Sequence, residues 1–413
     1  MVSDKLTKVI NHKLFGNSAY LFILQLSNFI PFFILPFLAR KLSLNEFGIV
    51  MLMFTIINLS LIITDFGFNL YGTHKVSSNR KNINVSKLFS AIFFVKLIIF
   101  TFVLFLCILY MLYFDFIDDY FLFFIFSSAS VFVIMLQPIW LFQGLQKMKN
   151  IVYFVTTLRL LYGLLVFLFI EDKGEGYLVI TFWFIANAVG LIISMRLAFK
   201  EKCYFRIISY TYLKSVIQES SKFFYSRLAT TAYTSLNVII LSSISPTSVA
   251  FYSSCEKIYN FIIALTSPIN RALFPYMSEN KDWKIFFNLF FFVLLFLIPF
   301  SLLSYTFSEE IIIFIYGESF EGQGDLLSIF IFTALISYAA ITFGYSAFGA
   351  LNRTDIANKT VLFGAFIHVI QVFVLYTLDV LSVTSLAVSF AITESFIALS
   401  RIVLFLLLKK RLV

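Results

Sequence analysis

Long apolar runs recur along the whole chain, at roughly 15–38, 47–68, 87–110, 120–143, 151–170, 177–198, 223–245, 248–268, 285–306, 326–349, 357–377 and 381–408. A helix of about 20 such residues crosses the ~30 Å hydrocarbon layer of a bilayer. The runs are too long for barrel strands and lack two-residue alternation, so helices are the only way to satisfy the backbone in lipid. The chain has 413 residues, 60% hydrophobic and 13% charged, with a mean hydropathy of +0.94. About twelve spans therefore leave short connections and no separate soluble domain. The expected fold is all-α and integral to the membrane.

Charge sets the orientation. With the N-terminus inside, most of the 31 basic residues fall in inner connections, and the outer ones hold only Arg40, Lys41 and Lys173. The positive-inside rule then places both termini in the cytoplasm of a multi-pass protein. Acids lean the other way, with Asp115, Asp118, Asp119, Glu171, Asp172, Glu175, Glu309, Glu310, Glu318, Glu321 and Asp325 outside. The formal net charge of +9 is thus an orientation signal. Nucleic-acid binding would need a basic soluble face, and none exists. The start, Asp4 to Leu14, reads as a basic amphipathic lead-in on the membrane surface, with no cleavable signal peptide.

The longest polar stretch, 199–222, is basic and inner, and it divides the runs into two sets of six. The expected organisation is an N-terminal lobe over 1–198, a cytoplasmic linker over 199–222 and a C-terminal lobe over 223–413. An internal repeat supports the division. Phe142-Gln143-Gly144-Leu145-Gln146-Lys147 ends the fourth span, and Phe348-Gly349-Ala350-Leu351-Asn352-Arg353 ends the tenth, half a chain length away. Parallel six-span repeats are a transporter architecture, with the substrate site expected between the halves.

Charges within spans are expensive and therefore functional candidates. They are Lys96, Arg159, Arg227, Glu256, Lys257, Glu394 and Arg401, with Asp65 near the inner end of the second span. Bases outnumber acids, and a buried surplus of positive charge needs an anion or water to offset it. Each has a plainer alternative. Lys96 and Arg401 have stems long enough to snorkel to the inner interface, the preferred reading for Arg401. Glu256 and Lys257 are neighbours and point to different sides of one helix, so at least one faces a cavity or a partner. Arg159 and Arg227 carry the guanidinium fork that suits phosphate oxygens, or pair with a carbonyl or acid. Glu394 pairs with a base or carries a proton, and His368 is a hydrogen-bonded structural histidine before it is a relay. Prolines 31, 36, 138, 268, 275 and 299 permit bends in or near spans.

No nucleophile elbow, P-loop, HExxH or metal-ligand cluster is present. The three cysteines, Cys107, Cys203 and Cys255, are scattered in or beside apolar segments, which excludes a disulfide framework or a metal site. The 56 Phe and 21 Tyr are read chiefly as lipid-facing bulk. No cofactor, and no enzyme activity, is expected.

Three stretches carry a family resemblance: Pro36-Phe37-Leu38-Ala39-Arg40-Lys41-Leu42 through Glu46-Phe47-Gly48; Asp65-Phe66-Gly67-Phe68-Asn69; and Gln137-Pro138-Ile139-Trp140-Leu141-Phe142-Gln143-Gly144 with Lys147-Met148. Glu256-Lys257-Ile258 and Pro268-Ile269-Asn270-Arg271-Ala272 with Pro275 add to it. Together they resemble the O-antigen flippases, the Wzx-type branch of the multidrug/oligosaccharidyl-lipid/polysaccharide exporter superfamily. The resemblance implies two MATE-like six-helix lobes around a central cavity, working by alternating access. It implies an undecaprenyl-pyrophosphate-linked oligosaccharide as substrate, flipped from the cytoplasmic to the periplasmic leaflet of the inner membrane for lipopolysaccharide biosynthesis. The cations expected to hold the pyrophosphate are Arg227, Arg159, Lys257, Lys96, Arg40 and Arg271. Glu256, Glu394, Asp65 and His368 are the coupling or gating candidates, with a proton or sodium ion as coupling ion. Membrane lipids, and the polymerase and glycosyltransferases of the same pathway, are the implied partners. An inside-negative potential favours outward movement of an anion by about 2.3 kcal/mol per charge per 100 mV. The rival readings are a multidrug exporter of the same superfamily, whose cavity would need negative charge, and a membrane-embedded polysaccharide polymerase or acyltransferase. The latter would need a large outer loop with catalytic bases, whereas the longest one here, about 307–325, lacks Lys, Arg and His.

Overall fold

In the computed structural model of the protein, residues 27, 30–78, 84–113 and 117–410 are described, with residues 111, 117–119, 225–227, 229–230, 232 and 410 described by their backbone alone. The amphipathic lead-in and most of the first expected span lie outside the described residues. Among those residues the secondary structure is helical throughout, with no strand. In chain order the helices are α1 (Ile30–Lys41), α2 (Leu44–Asp65), α3 (Phe68–Ser78), α4 (Val85–Tyr113), α5 (Ile117–Met135), α6 (Ile139–Gly144), α7 (Met148–Phe169) and α8 (Gly176–Lys200). They continue as α9 (Tyr210–Ser242), α10 (Pro246–Asn280), α11 (Trp283–Thr306), α12 (Ser308–Tyr316), α13 (Gly324–Ile341), α14 (Ala347–Ala350), α15 (Thr354–Thr377) and α16 (Val383–Lys410).

Nine described helical segments are long and apolar enough to cross a membrane. The shortfall from twelve has a physical reason. The seventh and eighth expected spans are α9 and α10, of 33 and 35 residues, long enough but too polar to qualify by composition. A helix that is polar around much of its circumference cannot face lipid on all sides, so these two are where non-lipid surfaces belong. By contrast α4 and α11 turn Phe94, Ile98, Phe102 and Phe105, and Phe291, Phe292, Leu295 and Phe296, outward, as lipid-facing helices do. Other phenylalanines pack inside: Phe286, Phe290, Phe343 and Phe405 bring α11, the turn after α13 and α16 together, with ring centroids 5.2–5.3 Å apart around Phe343.

The chain forms two compact units. One comprises the described residues up to Leu42 and Met53–Leu228; the other comprises Ser43–Leu52 and Ala229–Val413. The division falls within α9, which begins at Tyr210, inside the stretch read from sequence as a connection. Its polarity hides an amphipathic pattern, because Val216, Ser220 and Phe224 fall on one buried face while Lys214 and Lys222 are exposed. Lys75 at the end of α3 donates to Glu219 on α9 at 2.9 Å. That hydrogen bond, above the opposing effect of burial, holds the Glu219 carboxyl below its usual pKa. The loop expected over 307–325 is also ordered, as α12 and the 3-10 turn Glu318–Phe320, with Glu309 accepting the amides of Gly322 and Gly324.

The sequence repeat is a repeat of backbone geometry. Gln146 and Asn352 both take φ of 56°. Beside them the Lys147 amide reaches back to Phe142 O, and the Arg353 amide to Phe348 O, each at 2.8 Å. This helix-ending turn closes open carbonyls at a helix C-terminus, and a left-handed amide-bearing residue suits it. The family stretches are also turn and cap chemistry. Ser43 and Glu46 exchange hydrogen bonds as a capping box at the start of α2. Gly67 has φ of 80°, and a Cβ there would lie 2.5 Å from the Ser220 carbonyl oxygen. Gly67→Ala should therefore lower the melting temperature of the detergent-solubilised protein well beyond Gly174→Ala. Gly174 also has positive φ, but its added Cβ meets nothing within 4 Å, leaving only a backbone strain of roughly 1–2 kcal/mol. Equal losses would contradict the close approach at Gly67.

Candidate functional site

In the first unit, the fourth expected span breaks at Pro138. Proline cannot donate, and Ile139, whose amide would close on Met135 in a continuing helix, bonds Gln137 instead at 3.0 Å. The Met135 carbonyl is met by Lys96 Nζ from α4, at 2.9 Å. The same ammonium lies 3.6 Å from Asp65 Oδ1. Asp65 in turn accepts the Asn69 amide at 3.2 Å, holding the turn between α2 and α3. Lys96 is only 4% exposed. It does not snorkel; it closes a helix end inside the unit, where the negative end of the helix dipole favours a cation. Gln137 adds a bond from its amide nitrogen to the Asn187 carbonyl at 3.2 Å.

The second unit has a corresponding break. After α13 the chain makes a π-helical turn over Thr342–Ser346, with Gly344 at ψ of −113°. Here the cation is Arg401 of α16. Its Nη1 donates to the Ala340 carbonyl at 2.6 Å, its Nη2 to the Ala357 carbonyl at 3.0 Å and its Nε to Thr360 at 3.0 Å. Arg401 is 6% exposed, so the snorkelling expected of it does not occur. A Cβ on Gly344 would lie 2.8 Å from Nη1, which is why glycine stands at this position. Met135 and Ala340 precede the matching Gln146 and Asn352 turns by nearly equal lengths. Each unit therefore holds a buried cation on the carbonyl of a helix interrupted at the same level.

Two other coupling candidates, Glu394 and His368, sit in a hydroxyl-rich cluster in the second unit. Glu394, on α16, accepts Tyr233 from α9 and Ser337 from α13, each at 2.7 Å. Ser337 accepts Tyr259 from α10 at 3.0 Å. His368, fully enclosed, has Thr393 2.9 Å from Nδ1 and Asn237 2.9 Å from Nε2. The Asn237 amide nitrogen donates to Tyr252 at 2.7 Å, which orients its oxygen as acceptor for the histidine. The carboxylate thus has donors from two helices, as a buried charge requires.

The remaining candidate cations are placed differently. Arg159 is half-buried on α7, with Nη1 2.7 Å from Ser27 Oγ. Glu256 and Lys257 are both half-buried on α10, Arg271 of the same helix is exposed, and Arg40 is exposed in the last turn of α1. The Arg227 side chain lies outside the described residues. The structure therefore brings Lys96 with Asp65, and His368 into the neighbourhood of Glu394 through Tyr233, whose ring centroid lies 5.8 Å from the imidazole. Among the described residues, no group of His, Cys, Asp and Glu is arranged to hold a metal.

The sequence profile of the family described as "Polysaccharide biosynthesis protein" matches residues 14–281. The chain belongs to that family. A Shigella dysenteriae protein named "Putative O-antigen transporter" is 28% identical over 368 residues, 86% of this chain and 91% of that one. In fold, the chain is similar to the lipid II flippase MurJ in an inward closed conformation, with a TM-score of 0.72 and 12% identity over 93% of this chain and 87% of that one. It is similar too to an inward-facing multidrug resistance MATE family transporter of the MOP superfamily, with a TM-score of 0.70 and 12% identity over 93% and 94% of the two chains. The chain is therefore a multi-pass membrane protein with the MATE-like helical fold expected of it.

Several residues of the cluster escape a reading of charge alone. Tyr233 and Asn237 on α9, Ser337 on α13 and Thr393 on α16 are neutral, so a search for charges within spans passes over them. The sequence feature that could have pointed to the Arg401 socket is Gly344, a glycine within an apolar span. Removing one partner from a buried charge pair costs about 3–5 kcal/mol. Lys96→Met should accordingly depress the melting temperature strongly. Adding Asp65→Asn should recover part of the loss, since the stranded charge is gone and only the Met135 carbonyl stays uncapped. A double variant no more stable than the single would contradict the pairing.

Proposed function

We propose that this protein flips undecaprenyl-pyrophosphate-linked oligosaccharide repeat units of the O-antigen type. It moves them from the cytoplasmic to the periplasmic leaflet of the bacterial inner membrane by alternating access, with both termini in the cytoplasm. The observation that carries the reading is the similarity to an O-antigen transporter over 86% of the chain. The MurJ-like fold supports lipid-linked cargo. A transporter needs no catalytic constellation, so the protein acts as a carrier and not as an enzyme.

The placement of the charges supports a division of labour. Lys96 and Arg401 serve the fold, each closing interrupted helices. Arg159, Lys257, Arg271 and Arg40, with Arg227, are the cations offered to the pyrophosphate and its anionic head group, where charge-assisted hydrogen bonds offset desolvation. Glu256, Glu394 and His368 provide the titratable groups through which a proton or sodium ion couples to transport, while Asp65, expected among them, balances Lys96. The polymerase and glycosyltransferases of the pathway are the protein partners. A multidrug exporter of cationic compounds is disfavoured, because the partly exposed charges of the spans are mostly basic.

Reconstituted in vesicles, the protein should speed the appearance of lipid-linked oligosaccharide in the opposite leaflet, read by an impermeant lectin, well above protein-free vesicles. Rates equal to protein-free vesicles would remove the function. Collapsing voltage and pH gradient together should slow flipping, and an unchanged rate would remove the coupling.

A further inference from the structure

The polar stretch that joins α8 to α9 leaves its apolar residues uncovered. The chain exits α8 through Lys202, at φ of 60°, with the Cys203 amide on the Ala198 carbonyl. Residues 203–209 then run without helix to the start of α9. Two serines one turn apart on α4 fix this strap. Ser90 accepts the Arg206 amide at 2.8 Å, and Ser86 accepts the Tyr204 amide at 3.2 Å while donating to the Lys202 carbonyl at 3.2 Å. Phe205 lays its ring against Phe89 and Phe93, with centroids 5.3 and 4.8 Å away, and Tyr204 stacks on Phe199 at 6.2 Å. All of these groups belong to the first unit.

The fixing does not bury the strap. Tyr204 and Phe205 remain half exposed, Tyr210 is 78% exposed and Ile207 is fully exposed. With Phe199 they make an apolar patch, and such a patch marks a surface that meets a partner or a membrane. Bases surround it. Lys200, Lys202, Arg206 and Lys214 are exposed, and so is Lys87 beside Ser86. The single acid of residues 199–214, Glu201, is engaged by Lys147.

Two constraints fix the depth of the strap. Lipid-exposed non-helical backbone is not tolerated in hydrocarbon, where its amides and carbonyls find no water. An uncovered isoleucine among aromatic rings is unfavourable in bulk water. The boundary between headgroups and acyl chains satisfies both, and tyrosines and basic side chains settle there. Clustered positive charge at that level favours anionic headgroups.

We infer that residues 199–214 form an interfacial anchor, with Tyr204, Phe205, Ile207 and Tyr210 in the top of the acyl layer and Lys200, Lys202, Arg206 and Lys214 on the phosphates of anionic phospholipids. The anchor holds bulk membrane lipid and not cargo. It goes beyond the transport reading and uses that reading only to name the leaflet, which is the cytoplasmic one.

A nitrobenzoxadiazole label on Ile207→Cys in the full chain reports the depth. The native cysteines are buried or half-buried, so the unsubstituted protein serves as the labelling blank. In nanodiscs of phosphatidylcholine with phosphatidylglycerol, a nitroxide high on the acyl chain should quench the label severalfold more than aqueous iodide does. Stronger quenching by iodide would put the strap in water and overturn the anchor. Protection from iodide that appears only in native membranes would assign the patch to a protein partner and overturn it too. Native mass spectrometry of the detergent-solubilised protein reads the lipid class. The wild type should retain phosphatidylglycerol over phosphatidylcholine by about fivefold or more. Lys202→Gln/Arg206→Gln/Lys214→Gln should lose most of that preference, whereas Lys359→Gln, whose ammonium lies on Asp355, should keep it. An unchanged preference in the triple variant would overturn the anionic selection. An intact anchor in a wild-type protein that flips nothing would support the inference and overturn the transport reading alone.

Discussion

A backbone carbonyl left open inside a bundle that sits in hydrocarbon has no water to satisfy it, and this protein opens one at Met135. The fourth span breaks at Pro138 and the tenth at the π turn around Gly344. Each break has a side-chain cation on a nearby carbonyl, Lys96 on Met135 and Arg401 on Ala340. The rest of each unit follows from that need. Asp65 balances Lys96 and fixes the turn into α3, while Ala357 and Thr360 complete the shell of Arg401 and tie α15 to α16. Satisfied in this way, a buried cation strengthens its surroundings; stripped of one partner, it becomes a liability of several kcal/mol.

The same constraint sorts the charges. A buried cation already held by carbonyls together with a carboxylate or a hydroxyl has little left for a ligand, whereas Arg159, Lys257 and Arg271 keep part of their surface open. The polarity of α9 and α10 points the same way. These helices bring Tyr233, Asn237, Tyr252, Tyr259, Asn270 and Arg271 into or beside the second unit's polar interior. The π turn serves two sides at once. Toward α16 it makes room for Arg401, and toward α10 Thr342 and Ser346 hydrogen-bond Asn270.

The helical multi-pass fold was legible in the sequence, because span length follows from the thickness of the bilayer, and the Phe142–Lys147 repeat carried the turn that ends both helices. The turn at Gln146 and Asn352 could be placed from residue types, since amide residues tolerate left-handed backbone. The helical start of α9 could not, because its buried face is only Val216, Ser220 and Phe224 amid charged neighbours. Nor could the fates of Lys96 and Arg401. A linear reading sees the distance of a charge from the span end, and so favours snorkelling. The deciding facts are where carbonyls open on other helices. Pro138 announces one such opening, but the π turn has no comparable signature beyond Gly344.

The central claim is that Lys96 holds the fold and does not hold the cargo. The most direct measurement is the flipping rate of lipid-linked oligosaccharide in vesicles containing the neutral Lys96→Gln/Asp65→Asn variant at wild-type protein density. Glutamine retains a donor for the Met135 carbonyl, and asparagine removes the charge that Lys96 balances. The account predicts a rate close to wild type. Loss of flipping by a variant that remains folded would contradict it and place Lys96 at the substrate.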